Sequence, residues 1–204
     1  MTAMVRADAA DVEALASLLA DAFRDDAFTS WFVGEASRKR GGLVRFFRTA
    51  LARLALPHGE TYKTADGAGA ALWVPPGRWR LGWFEELRLL PTVMGLTGAG
   101  RVLSVLSGLE ALEKRHPREP HRYLMFVGVA PAVQGRGHGA ALLEPVLRQC
   151  DEEGVPSYLE TANARTVPFY ERLGFAVREQ FRIPHGGPPM WLMWREADEQ
   201  VNRA

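Results

Sequence analysis

Val127-Gly-Val-Ala-Pro-Ala-Val-Gln-Gly-Arg-Gly-His-Gly-Ala-Ala-Leu-Leu143 is the stretch on which the fold turns. An apolar, strand-like run ends at Val129 and a short loop carrying Pro131 follows. Gln134, Gly135, Gly137 and Gly139 then open a helix-like run from Ala140 to Cys150. Glycine has no Cβ, so its backbone can come close to a ligand. The first N–H groups of a helix lack intrahelical partners and carry partial positive charge. Together these features make a site for phosphate, above all pyrophosphate. A plain glycine-rich turn would not require so many small residues at one strand-to-helix junction.

Two nucleotide-binding patterns compete here. Gly135-x-Gly137-x-x-Ala140 fits the dinucleotide fingerprint, and Glu160 lies roughly 20 residues on, where a ribose-binding acid would sit. Against it, the five residues Ala130 to Gln134 separate the strand from the first glycine. Only 44 residues follow Glu160, too few to complete a doubly wound sheet, and the preceding chain does not alternate strands with helices. The other pattern is Gln-x-x-Gly-x-Gly, met by Gln134, Gly137 and Gly139.

A second motif separates the two. Leu159-Glu-Thr-Ala-Asn-Ala-Arg-Thr-Val-Pro-Phe-Tyr-Glu-Arg-Leu-Gly-Phe175 follows a short strand from Ser157 to Thr161. Asn163 suits a helix N-cap, Gly174 suits the residue after a helix, and Phe169 and Leu173 lie one turn apart. In this order, the two motifs resemble those of the GNAT N-acetyltransferase superfamily. The resemblance implies an α/β (α+β) fold. Its central mixed, mostly antiparallel sheet is splayed at a bulge and flanked by helices, here with a helical insertion at about 78–120. Residues 1–204 are expected to form a single domain.

The resemblance also implies acetyl-CoA as cofactor and assigns residues to it. Val127, Gly128, Val129, Gln134, Gly135, Arg136, Gly137, His138, Gly139, Ala140, Asn163, Phe169 and Tyr170 form the expected cofactor-binding set. Leu124–Val129 and Ser157–Thr161 would part at a bulge by Gly128, and the pantetheine arm would pair with backbone at Val127 and Val129. The Val127 N–H would stabilise negative charge on the thioester oxygen. Tyr170 is the expected general acid for the departing thiolate. Glu160 is the candidate base, through water, and His121, between Pro120 and a strand, reads as a weaker candidate at the surface. No metal is expected.

From about Gly69 onward the chain is similar to puromycin N-acetyltransferase and its relatives. Ala71-Leu-Trp-Val-Pro-Pro76, Arg115-His-Pro-Arg-Glu-Pro120, Tyr123-Leu-Met-Phe-Val-Gly-Val129, Gly154-Val-Pro-Ser-Tyr-Leu-Glu-Thr161, Val167-Pro-Phe-Tyr-Glu-Arg-Leu-Gly-Phe175 and Met190-Trp-Leu-Met193 carry this similarity. It implies a small-molecule primary amine as acceptor, a puromycin-like aminonucleoside or aryl amino-acid amide among them. A non-catalytic CoA-binding regulatory domain and a protein N-acetyltransferase are the alternatives.

Composition agrees with a globular protein. The chain has 204 residues, enough for one domain with a real core. It is 47% hydrophobic and 24% charged, with a formal net charge of +1, so no electrostatic case exists for nucleic acid. The single cysteine, Cys150, lies on the apolar stripe Leu143, Val146, Leu147, Cys150 and reads as core. Asp8 and Asp11 come too early for a signal peptide, and the uncharged run Leu89 to Gly100 is too short and too broken to span a membrane. A cytoplasmic protein is expected, a monomer or homodimer without a membrane partner.

Along the chain, Met4 to Arg6 reads as a strand, and Asp8 caps a helix carrying Val12, Leu15, Leu19 and Phe23. Asp25 to Phe32 reads as a break. A helix from about Ala36 to Leu56 is expected to bury Leu43, Phe46 or Phe47, and Leu54, with Arg38, Lys39 and Arg40 on a solvated face. Glu60–Thr64 and Gly69–Val74 form a hairpin around Ala65-Asp66-Gly67. Trp83, Leu87, Leu90 and then Val102, Leu106, Leu109, Leu112 mark two helices. These are expected either to add core or to wall the acceptor site with Trp79, Trp83 and Phe84, with Glu85 and Glu86 drawing the ammonium group. Pro145 is expected to kink or widen its helix after Ala141. Arg178 to Trp194 reads as two strands joined by His185-Gly-Gly-Pro-Pro189.

Overall fold

The computed structural model describes residues 3–38, 41–80 and 82–198. The side chains of Arg38 and Trp83, and all of Lys39 and Arg40, lie outside the described residues. In chain order the strands are β1 (Met4–Arg6), β2 (Thr61–Thr64), β3 (Gly69–Val74), β4 (Arg122–Val129), β5 (Ser157–Thr161), β6 (Ala176–Arg182) and β7 (Pro189–Arg195). The helices are α1 (Val12–Ala22), α2 (Ala27–Phe32), α3 (Glu35–Arg38), α4 (Gly41–Thr49), α5 (Trp83–Thr97), α6 (Val102–Glu113), α7 (His138–Glu153) and α8 (Val167–Glu171). One sheet runs β1-β2-β3-β4-β5-β7-β6. Its described pairs are antiparallel except β4 with β5.

Successive residues of a strand point to opposite faces. Ala70, Leu72, Tyr158, Leu192 and Trp194 join a core with Leu15, Leu19, Trp31 and Phe47. Their neighbours Ala71, Trp73, Leu159 and Met193 join a second core with Leu142, Leu143, Val146 and Cys150. The central strands are therefore buried on both faces, which requires their near-continuous apolar runs. Cys150 is indeed a core residue.

β4 and β5 pair only at Arg122–Ser157, Tyr123–Tyr158 and Leu124–Leu159, and then part. The splay is as expected, but the bulge is not at Gly128. The β3 register steps from Leu72–Phe126 to Trp73–Leu124, so Met125 is the extra residue. Gly128 pairs in register with Ala70. A Cβ there would lie 2.7 Å from Leu19 Cδ2, so its close approach is to α1.

Asp8 opens the first helix through a reciprocal box with Asp11. The expected break at Asp25–Phe32 contains α2, with the Thr29 N–H donating to Asp26 Oδ1 at 2.8 Å. Six residues are too few to display helical periodicity. The expected helix from Ala36 to Leu56 divides into α3, α4 and a π-helical stretch, Ala50–Ala55. The wider turn shifts the buried face, so Leu51 and Ala55 are buried and Leu54 only half-buried.

α7 runs unbroken through Pro145, without the widening expected after Ala141. Proline costs a helix interior about 3 kcal/mol. Burial of Leu142, Leu143, Val146 and Leu147 offsets this, each worth about 1.5–3 kcal/mol. α5 and α6 form the expected insertion and meet at 120°. No single helix among the described residues is long and apolar enough to cross a membrane.

Candidate functional site

The loop between β4 and α7 is held open by its glycines. Gly135 and Gly137 have φ of 74° and 84°, in the left-handed region that side chains disfavour. Gly137 is the N-cap of α7, whose first N–H groups therefore face the loop. Gly139 is small for a different reason: a Cβ there would lie 3.3 Å from Phe169 Cζ. Gln134 donates from Nε2 to the Val129 carbonyl at 3.1 Å and ties the loop to the end of the strand.

These residues enclose a cavity of about 600 Å³. Val127, Val129, Gln134, Gly135, Gly137, His138, Gly139, Ala140, Phe169 and Tyr170 line it, ten of the thirteen expected cofactor residues. Gly128, Arg136 and Asn163 do not line it. Asn163 uses its side chain to cap the turn before α8, accepting from the Arg165 N–H at 3.0 Å. Arg172 and Glu144, which the sequence reading passed over, border the cavity. His138 Nδ1 is buried with no hydrogen-bond partner among the described residues.

Ala130 donates its N–H to the Ala68 carbonyl at 2.8 Å. By strand alternation the N–H groups of Val127 and Val129 turn away from β3, toward the side that β5 has left. A splayed strand with free N–H groups, a glycine loop and a helix N-terminus fits a long chain ending in a pyrophosphate.

A second cavity of about 550 Å³ lies beyond the first. Phe23, Phe28, Phe32, Phe46, Phe126 and Met190 give it an apolar wall. Asp26, Glu86, Glu110, Glu113 and Glu160 also line it, and its described lining contains no lysine, arginine or histidine. Of the expected aromatic wall, Trp79 and Phe84 do not line the cavity, and the side chain of Trp83 lies outside the described residues. Trp79 stacks on His116 at 3.7 Å, and Phe84 is 60% exposed outside the cavity. Of the two expected acids, Glu86 lines the cavity while Glu85 pairs with Arg88 at 2.8 Å. Phe28 and Phe32 of α2 and Phe46 of α4 give it aromatic surface, while the insertion helices α5 and α6 supply the largest share of its wall, Leu89, Leu90, Val93, Leu96, Leu106 and Leu109 among it, as one of the two expectations for them had it.

Val127 and Tyr170 line both cavities. Tyr170 is buried, and its hydroxyl has no hydrogen-bond partner among the described residues. Burial, and secondarily the negative charge of Asp26, raise its pKa above the phenol value. Burial likewise raises that of Asp26.

Glu160 stands at the end of β5 in a polar cluster. Tyr123 donates to Glu160 Oε2 at 3.1 Å and Tyr158 to Oε1 at 2.9 Å. His116 Nδ1 lies 3.4 Å from Oε1. His121, expected at the surface, is 1% exposed, with Nε2 3.0 Å from His116 Nε2. No group of metal-ligating side chains occurs among the described residues.

The glycine-loop cavity and the apolar, acidic cavity share Val127 and the buried phenol Tyr170 in their linings. The sequence assigns the class: residues 73–175 match the model of the GNAT acetyltransferase family, and the chain belongs to that family. It is a GNAT N-acetyltransferase, an acyltransferase. Members of the family use acetyl-CoA as acyl donor. An uncharacterized N-acetyltransferase of Schizosaccharomyces pombe is 28% identical over 96% of this chain and 83% of its own length. A structure from Corynebacterium glutamicum, of a histone acetyltransferase and related acetyltransferase, superposes with a TM-score of 0.74 at 23% identity, covering 97% of each chain. Arylalkylamine N-acetyltransferase 2 of Aedes aegypti superposes with a TM-score of 0.60 at 14% identity, over 95% of this chain and 98% of that one. These two likenesses concern the fold.

Proposed function

We propose that the protein transfers the acetyl group of acetyl-CoA to the primary amine of a small, lipophilic, cationic molecule. The observation that carries this reading is the second cavity: an aromatic and aliphatic wall with five carboxylates and no basic side chain in its described lining. Such a wall favours flat apolar bodies bearing an ammonium group over acids. Puromycin-like aminonucleosides and aryl amino-acid amides belong to this class.

In this reading the loop cavity takes the donor. The Gly135, Gly137 and α7 N–H groups meet the pyrophosphate, and Arg172 supplies a guanidinium at the rim. The pantetheine arm lies along the free edge of β4 and pairs with Val127 and Val129 as an added strand would. The Val127 N–H then faces the thioester oxygen and stabilises the charge that develops on it. Tyr170, at the junction of the cavities, donates its proton to the departing sulfur. Glu160, on the acceptor side, receives a proton from the amine.

The test is release of CoA from acetyl-CoA, followed with a thiol reagent, across primary amines that include puromycin, simple arylalkylamines, acidic amino acids and N-terminal peptides. Turnover concentrated in apolar cationic amines is expected. Tight acetyl-CoA binding without turnover for any amine, or turnover for peptides alone, overturns the proposal.

A further inference from the structure

The hydrogen bonds around Glu160 form a chain whose protons can be placed one by one. His121 Nδ1 lies 2.7 Å from the Glu119 carbonyl oxygen, which only accepts. His121 Nδ1 therefore carries hydrogen, and burial pushes the pKa of this imidazole down to about 4, so the ring is neutral at pH 7. Its Nε2 is then a lone pair. Across 3.0 Å, His116 Nε2 must be the donor. His116 Nδ1 is left facing Glu160 Oε1 at 3.4 Å. Both oxygens of Glu160 already accept from phenols, Tyr123 and Tyr158, whose pKa values are raised by burial first and by Glu160 itself.

We infer that the gap between His116 Nδ1 and Glu160 Oε1 is the resting place of the proton that the acceptor amine gives up, which makes His116 a positioning residue for the base. When His116 carries its hydrogen on Nε2 and the phenols of Tyr123 and Tyr158 donate to Glu160, that gap holds no proton. One proton entering through Glu160, which lines the acceptor cavity, closes it into a charge-assisted hydrogen bond. The inference rests on the acetyl-transfer reading above. An ammonium substrate loses two protons as its nitrogen bonds to the acetyl carbon and the carbon–sulfur bond breaks. One proton replaces the one Tyr170 gives to sulfur, and the other enters the gap.

The surroundings favour this role. His116 is stacked on Trp79 and meets Tyr123 and Tyr158 edge-on, so its ring is fixed. The charged and titratable groups facing the pair are Tyr123 from β4, Tyr158 from β5, His121 ahead of β4, and Glu179 of β6, which acts on Tyr158.

The experiment compares His116→Gln and Glu160→Gln with wild type on two acceptors, an alkylamine that is protonated at neutral pH and an arylamine that is already neutral. Gln at position 116 keeps a donor toward His121 and removes Nδ1. The expected result is a loss in kcat/KM of about 100-fold for the alkylamine and less than about 3-fold for the arylamine in both variants, the size of a lost general base. Equal losses on both acceptors overturn the inference and leave acetyl transfer standing, whereas no turnover by wild type defeats the functional reading itself. Nitrogen-15 imidazole spectra of the wild-type protein supply a readout independent of activity. A neutral His116 bearing its hydrogen on Nε2 supports the inference, and a neutral His116 bearing it on Nδ1 overturns it.

Discussion

Val127 and Tyr170 border both cavities, a backbone N–H from the splayed strand and a buried phenol from the helix that follows the other central strand. The Tyr170 hydroxyl contributes no hydrogen bond to the fold among the described residues, so Tyr170→Phe leaves packing intact. The expected outcome is a fall in kcat of about 100-fold or more, with CoA affinity unchanged, read by steady-state kinetics beside a CoA titration. Because burial, and then Asp26, raise the Tyr170 pKa, the acid form persists at all pH values below about 10. Wild-type turnover should therefore show no alkaline decline in that range from this group. Equal losses in kcat and in CoA affinity would remove Tyr170 from its assigned role.

Two glycines of the loop answer to different physics and should fail differently. Gly137→Ala places a side chain at φ 84° and should cost about 1–2 kcal/mol of stability as well as CoA binding. Gly139→Ala keeps an ordinary helical backbone but presses on the Phe169 ring, which lines the same cavity. It should weaken CoA binding without the loss of stability. Thermal melts of each variant with and without CoA separate the two.

The division between what the sequence discloses and what it hides follows range. The loop glycines, the Asn163 cap, the α7 stripe and the hairpin at Gly67 are local rules, legible because the cause lies within a few residues. The bulge at Met125 and the burial of His121 depend on which strand lies alongside, and a single strand does not display that. Gly128 follows the same rule: a lone strand glycine is consistent with a bulge or a close approach, and here it marks a close approach to α1, with the bulge at Met125. The aromatic part of the second cavity's wall was hidden differently. α2 is shorter than two turns and the π turn after α4 shifts the apolar period, so Phe28, Phe32 and Phe46 carry no readable pattern. His116, one residue of the Arg115–Pro120 motif, has a role only once folding sets it beside Glu160.

The carboxylates of the second cavity should act on binding. Glu86 is exposed, lines the cavity and lies far along the chain from Tyr170 and Glu160. Glu86→Gln should raise KM for a cationic amine about threefold at low salt, as for an exposed charge pair worth ~0.2–1 kcal/mol, and leave kcat unchanged. Raising ionic strength should erase the difference, because exposed charges are screened within about 10 Å at 0.1 M salt. A difference that survives 1 M salt would mean that Glu86 shapes the cavity and does not attract the substrate.

Burial of His121 couples stability to pH with a definite sign. The folded protein holds this imidazole at a pKa of about 4, against 6.5 for the exposed group. Between those values the unfolded chain binds the proton and the folded protein does not, so stability rises with pH across that window. Above pH 6.5 this contribution is complete; as pH falls toward 4 it is lost, to a total of ~3 kcal/mol. Urea unfolding at intervals from pH 7.5 to 4.5 should show the decline. His121→Gln, which can still donate to the Glu119 carbonyl but does not titrate, should flatten it. Carboxylates held low by their partners, such as Asp11, titrate below this window and do not mimic the effect. A slope that is the same in the Gln variant would assign the proton uptake to another group.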